Sequence, residues 1–164
     1  MLDKLMVLIL SSVLDFGLAL TNGDEKLVRD IMKASQLETL EQNRMLFSII
    51  KIESDFRPRV VSPKKAVGLM QLTRPAVIDA ARECNLSEDI STENLKTVYT
   101  NVNYGTCYLK KLLRERKGNW IEVLIIYNGG YRQLTRYLKG GSVVLETERF
   151  VMKVLSVYLS EPQP

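Results

Sequence analysis

The sequence predicts a mainly α, single compact domain, and three observations predict it. Apolar residues recur at helical spacing through most of the chain. Strand signals are weak throughout, and only the run Ser142-Val143-Val144-Leu145 is a modest one. A chain of 164 residues, 46% hydrophobic and 26% charged, suits one domain with a sizeable core. No internal repeat, low-complexity stretch or linker divides it.

The first element is the run at residues 5–14, apolar except for Ser11 and Ser12. Lys4 precedes it and Gly17-Leu18-Ala19 follows, the pattern of a short secretory signal. The run is too short for an ordinary transmembrane helix. Asp3 and Asp15 depart from the signal pattern, and a first core helix or an uncleaved anchor are the competing readings. Export makes residues 1–19 a signal or N-terminal hydrophobic segment and residues 20–164 the working domain, outside the cytoplasm.

Helix signals then follow in order. Thr21-Asn22-Gly23-Asp24 marks a helix start, with Asp24 as N-cap, and Leu27, Val28, Ile31 and Met32 share one face. A second helix is expected over residues 38–53, with Leu46, Ile49, Ile50 and Glu53 in an i, i+3, i+4, i+7 stripe. Pro58 ends it by Arg57, and residues 57–65, with two prolines and no period, read as a loop. Helical patterns return at 75–84, 95–115 and 120–127. Gly129-Gly130 breaks the chain before a short helix at 132–138. The last helix carries Phe150, Val151, Val154, Leu155 and Tyr158 on one side.

Composition narrows the chemistry. The chain has no histidine, which removes Ser-His-Asp triads, Cys-His dyads and histidine-ligated metals. Acid/base work falls to a carboxylate, lysine, tyrosine or cysteine. The net charge of +4 and pI near 9.1 suit an anionic polymer such as cell wall, although an inert basic surface accounts for them equally. No basic run interleaved with aromatics points to nucleic acid. Cys84 and Cys107 form either one bridge in an oxidising compartment or two buried thiols.

Glu53 stands where the apolar stripe calls for another Ile or Leu. A carboxyl facing the protein body resists ionisation, as a general acid working near neutral pH requires. Periodicity alone leaves a second reading, a helix-end Glu that turns to solvent or pairs with an Arg. Asp55, two residues on, reads as a solvated helix-end acid.

The wider pattern adds to this. Ile52-Glu53-Ser54-Asp55-Phe56-Arg57-Pro58 is followed by Ser62 and Gly68-Leu69-Met70-Gln71. Then come Asn101, Gly105, Tyr108 and Leu109, next Ile126-Tyr127-Asn128-Gly129-Gly130, and last Glu146-Thr147-Glu148-Arg149-Phe150-Val151. In order and spacing, over about residues 34–159, the set resembles the soluble lytic transglycosylase (SLT domain) family. The resemblance implies an α+β lysozyme-like fold with an active-site cleft, and no metal or cofactor. It implies that Glu53 is the single catalytic acid/base in cleavage of peptidoglycan glycan strands to 1,6-anhydro-muramic ends. The substrate's own N-acetyl group would replace a protein nucleophile, a recognised exception to the two-carboxylate rule.

By the same resemblance, Ser62 is the loop serine facing the catalytic acid and the N-acetyl group. Met70 and Gln71 line the sugar subsites, while by residue type alone Met70 reads equally as core packing. The Tyr127 hydroxyl lies near the carboxylate, and Asn128 braces the turn beside it. Ser54 supports the helix end, and Asn101 and Gly105 are structural; Trp120, from its place at a helix start, reads as a core anchor rather than a ring that stacks on sugar. Ile126 and Gly129 stand where the family has small alanines, Val61 lies close to where it often has alanine, and Phe150 replaces a common tyrosine. Rival readings are a hydrolytic lysozyme on the same fold and a catalytically weak wall-binding or assembly component. A role as a local wall opener for a secretion, conjugation or phage machine, in the periplasm, envelope or virion, follows by analogy.

Overall fold

The computed structural model describes residues 22–160, so the expected signal at residues 1–19 lies outside the described residues. Seven helices are described: α1 Asn22–Ala34, α2 Leu40–Ser54, α3 Arg74–Cys84, α4 Thr92–Leu95, α5 Val98–Glu115, α6 Trp120–Leu138 and α7 Leu145–Ser160. The mainly α fold is as expected. Helix α1 already includes Asn22, so Asp24 lies in its first turn rather than capping it. Its predicted face holds: Val28 and Ile31 are buried, with Leu27 and Met32 packed beside them.

Helix α2 is the centre of the molecule. Thr39 caps it, accepting from the Gln42 N–H, while the Gln42 side chain returns to the Thr39 backbone. Met45, Leu46, Phe47, Ile49 and Ile50 are all buried, so the helix is covered on more than one face, as a core helix must be. Helices α1 and α3 pack on α5, while α2 and α6 pack on α7. The Arg44 guanidinium of α2 lies over the Tyr158 ring of α7, 5.4 Å from its centroid.

Two local expectations change and one holds. The pattern at 95–115 is two helices, because Thr97 starts a new one by accepting from the Thr100 N–H. The Gly129-Gly130 break is as expected: Gly130 takes φ 74 and ψ 174, and the two helical stretches of α6 meet there at a kink. Residues 142–144 form no strand but lead into α7, and Val144 is exposed without a ladder to join. Extended pairing occurs instead between the predicted loop at 57–65 and the residues just after it, as isolated bridges between Val61 and Val67 and between Val67 and Leu72.

The two cysteines are paired. Cys84 at the end of α3 joins Cys107 within α5, with 6.0 Å between their Cα atoms. Lys111 adds a polar tie on the same helix, 3.0 Å from Asp79 of α3 and donating to the Tyr131 hydroxyl of α6 at 2.8 Å.

Candidate active site

Helix α2 delivers Glu53 to its last turn. The buried Ser54 hydroxyl donates to the Ile50 carbonyl, and Asp55 adopts a left-handed cap whose N–H returns to Lys51. This turn sends the chain away and leaves the Glu53 carboxyl in a cleft of about 370 Å³. Burial raises its pKa to about 8. Among the described residues no hydrogen bond or ion pair reaches it. Asp55 is exposed and bound to Lys51 at 2.6 Å, which holds its pKa below the ordinary value, so it is the solvated acid the sequence suggested.

The opposite wall is the loop carrying Ser62 and Gln71. The Gly68 N–H donates to Val60, and Val67 and Leu72 exchange both backbone bonds. Asn101, wholly buried on α5, clamps this loop: it accepts from the Met70 N–H and donates to Val67 and Leu95 carbonyls. Gly68 has φ +78, and a Cβ there would run into the Asn101 amide. Ser62 accepts the Ala66 N–H on its hydroxyl oxygen, leaving the hydroxyl hydrogen for the cleft. Gln71 spends its amide nitrogen on the Val60 and Gly68 carbonyls and lines the cleft.

Met70 is a correction. Its side chain is 0% exposed and does not line the cleft. It packs instead on Gly105, where any Cβ would collide with its sulfur, so Gly105 is the partner that makes room for it. The methionine reaches the site only through its backbone, whose carbonyl accepts the Tyr127 hydroxyl at 2.6 Å.

Tyr127 lines the cleft from α6, and burial holds its phenol protonated, with the Glu53 charge adding to the same effect. Its ring packs against Tyr108 at 5.8 Å and stacks on Phe150 at 6.2 Å, so the expected tyrosine position at 150 serves as an aromatic support. Asn128 lines the cleft beside it. The expected bracing bond is not made, because the Asn128 Oδ1 is buried with no hydrogen-bond partner among the described residues. Trp120 is a partly buried anchor that donates to Glu41 at 3.0 Å.

The cleft thus brings together Glu53, Ser62, Gln71, Tyr127 and Asn128. It also holds residues that sequence reasoning did not place there: Lys64, Thr73, Ala76, Tyr108 and Glu146. Tyr108 and Glu146 belong to the same motif set as Asn101 and Phe150, so the pattern already contains their signal. Glu146 is gripped by Lys64 at 2.6 Å, across the rim. The site therefore offers one buried acid with a pKa raised to about 8 and a second, largely exposed carboxylate paired with a lysine at the rim. Among the described residues no cluster of His, Cys, Asp or Glu is placed to hold a metal.

Residues 30–143 match the transglycosylase SLT domain family, well over half of the chain. The chain belongs to that family. It is 43% identical to the endo-type membrane-bound lytic murein transglycosylase A of Citrobacter koseri over 70 residues, 42% of this chain and 34% of that protein. It is 26% identical to the soluble lytic murein transglycosylase of Salmonella typhimurium over 107 residues, 65% of this chain and 17% of that one. The fold is similar to the 70 kDa soluble lytic transglycosylase of Escherichia coli, with a TM-score of 0.68 at 23% identity, over 82% of this chain and 23% of that one. An inactive mutant of the lytic transglycosylase Slt from Pseudomonas aeruginosa gives 0.66 at 26% identity, over 84% of this chain and 24% of that one. The chain thus spans about a third of the first relative's length and under a fifth of the second's.

Proposed function

We propose that this SLT-domain chain is a peptidoglycan lytic transglycosylase that cleaves the bond from N-acetylmuramic acid to N-acetylglucosamine, with Glu53 as general acid and then base. The observation that carries the reading is the Glu53 carboxyl, held neutral by burial in an open cleft with no group among the described residues claiming its proton. Protonated Glu53 donates to the glycosidic oxygen as the bond to the muramic C1 breaks. The muramic N-acetyl oxygen supports the cationic carbon in place of a protein nucleophile. Glu53, now a carboxylate in a site that disfavours charge, takes the proton of the muramic C6 hydroxyl. The C6 oxygen closes on C1, and the acid is restored without water.

The surrounding residues take roles consistent with their geometry. The Ser62 hydroxyl is placed to donate to the acetamide. Gln71 keeps its side-chain oxygen for a sugar hydroxyl. Tyr127, tied to the Met70 carbonyl, fixes the cleft floor, and the unpaired Asn128 oxygen accepts an N–H or O–H from substrate. Glu146 is largely exposed and faces Lys64 across the rim, so it lacks the burial that lets Glu53 hold its proton, and Glu53 is the acid/base.

The names of its relatives support a place in the cell envelope, with residues 20–164 as the exported domain. A local wall opener for a secretion, conjugation or phage machine is the corresponding biological role. A pull-down from envelope or virion preparations that recovers no assembly component would count against that role.

Mass spectrometry of products from purified peptidoglycan tests the chemistry. Wild type is expected to release anhydro-muropeptides and Glu53→Gln none. Products one water heavier would make the chain a lysozyme-type hydrolase. Wall binding without product from either protein would make it a scaffold.

A further inference from the structure

Residues 131–144 form a lobe beyond the Gly130 kink, and none of them lines the cleft. Its root is fixed: the Tyr131 hydroxyl accepts from Lys111 at 2.8 Å and donates to Glu115. Its two sides are joined. After the turn at Gly140, where φ is +76, the Gly141 N–H donates to the Arg136 carbonyl at 3.0 Å. The Val144 N–H donates to the Gln133 side-chain oxygen, also at 3.0 Å. The returning chain thus lies along the end of α6, and the lobe has a defined shape.

Charge and exposure single the lobe out. No Asp or Glu occurs from Val123 to Leu145, a stretch that holds Arg132, Arg136 and Lys139. These three are i, i+4 and i+7, so they form one row along the end of α6. All are exposed, and among the described residues none meets a carboxylate. Tyr137 and Leu138 flank the row at the helix tip, where residues 135–140 are all exposed. Val144, held against Gln133, is exposed as well. Cations in a last turn complement the helix dipole, which accounts for Arg136 and Lys139. It accounts neither for Arg132, about two turns from the helix end, nor for three large apolar side chains left together in water.

We propose that this lobe docks on the surface of an anionic phospholipid bilayer. Its helical part is far too short to span one, so it lies in the headgroup layer. Each side chain has a place there. Arg132, Arg136 and Lys139 meet the lipid phosphates, their long stems reaching past the helix tip. The Tyr137 ring sits at the headgroup level with its hydroxyl towards water, and Leu138 and Val144 enter the acyl boundary. A purely acidic polymer would pair the cations but leave Leu138 and Val144 in water, whereas a bilayer takes both kinds of side chain. The docking does not involve Glu53, so it stands or falls apart from the chemistry of the cleft.

The test uses the full chain with vesicles of phosphatidylcholine alone and of phosphatidylcholine mixed with phosphatidylglycerol. One variant is Arg132→Gln, Arg136→Gln, Lys139→Gln, and the other is Leu138→Ser, Val144→Ser; every substituted side chain is exposed. In co-sedimentation the triple variant is expected to bind the mixed vesicles about 100-fold more weakly than wild type, at about fivefold per cation. The two proteins are expected to bind the neutral vesicles alike. The double variant keeps every charge and is expected to bind the mixed vesicles about tenfold more weakly. Undiminished binding by either variant overturns the proposal. Hydrogen exchange read peptide by peptide separates the lobe from any other segment that meets lipid. The mixed vesicles are expected to slow exchange over residues 131–144 of wild type. Slowing confined to other residues overturns the proposal. So does slowing of 131–144 by polyglutamate but not by vesicles, which would assign the lobe to an acidic protein.

Discussion

Glu53 ionises near 4.5 in an unfolded chain and near 8 in the folded one, because burial disfavours the charged form. The folded state therefore binds the proton more tightly than the unfolded state does. The stability linked to that proton is fully present below about pH 4.5 and is lost as pH rises through about 8. Glu53→Gln keeps the shape and removes the titration. It is expected to unfold with little pH dependence from this site, and to exceed wild type by roughly 2 kcal/mol at pH 9, a figure reduced because the cleft admits solvent. Urea melts of both proteins at pH 5 and pH 9 check this. Parallel wild-type and mutant curves would mean that the carboxyl is solvated. The same proton sets the activity: kcat/KM is expected to fall above about pH 8, where the acid is spent. At this scale the sequence is informative but position alone does not decide: a carboxyl interrupting an apolar stripe singles Glu53 out, and the surrounding motifs separate a catalytic acid from a helix-end Glu. Met70 misleads because residue type cannot separate an adaptable cleft wall from a core filler. Only the bare backbone of Gly105 opposite it settles the matter.

Helices are legible where an apolar face repeats over several turns, as in α1, α2 and α7. They are less so where a side chain resets the chain locally, as Thr97 does between α4 and α5. The strand signal at 142–145 fails for a related reason: β-branched residues mark a strand only if a partner edge is near, and Val144 has none. The cysteine pair is open in sequence because spacing says nothing of whether α3 and α5 are neighbours. In the fold they are, and the bridge closes a loop over a separation of 23 residues. Loop-closure entropy gives such a bridge about 3 kcal/mol. Thermal melts with and without reductant are expected to differ by roughly 10 °C for a domain of this size. Cys84→Ala is expected to melt at the reduced wild type's temperature in either condition. If reductant lowered the variant's melting temperature as much as wild type's, the effect would not come from the bridge.

The whole molecule is held by pairs far apart in sequence, and these are what periodicity hides. A stripe tells which face is buried but not what covers it. The Tyr127–Met70 bond joins residues 57 apart, Trp120–Glu41 residues 79 apart, and Lys64–Glu146 residues 82 apart. The last of these links the Ser62 loop to the first turn of α7, across the rim of the cleft, with both side chains largely exposed. An exposed pair contributes under about 1 kcal/mol and weakens with salt, so it clasps the two walls without locking them. A glycan strand entering the cleft must lie against this clasp or part it. Lys64→Ala is expected to leave the melting temperature within about 2 °C of wild type. Losing the clasp leaves the Glu146 carboxylate on the cleft rim without its cation, and an added negative charge on the wall that Glu53 shares would disfavour ionisation of Glu53. The basic limb of kcat/KM is then expected to move to higher pH in Lys64→Ala. Glu146→Gln, which opens the clasp without leaving a charge, is expected to keep that limb where wild type has it. If both variants shift the limb alike, geometry and not charge couples the rim to the catalytic acid.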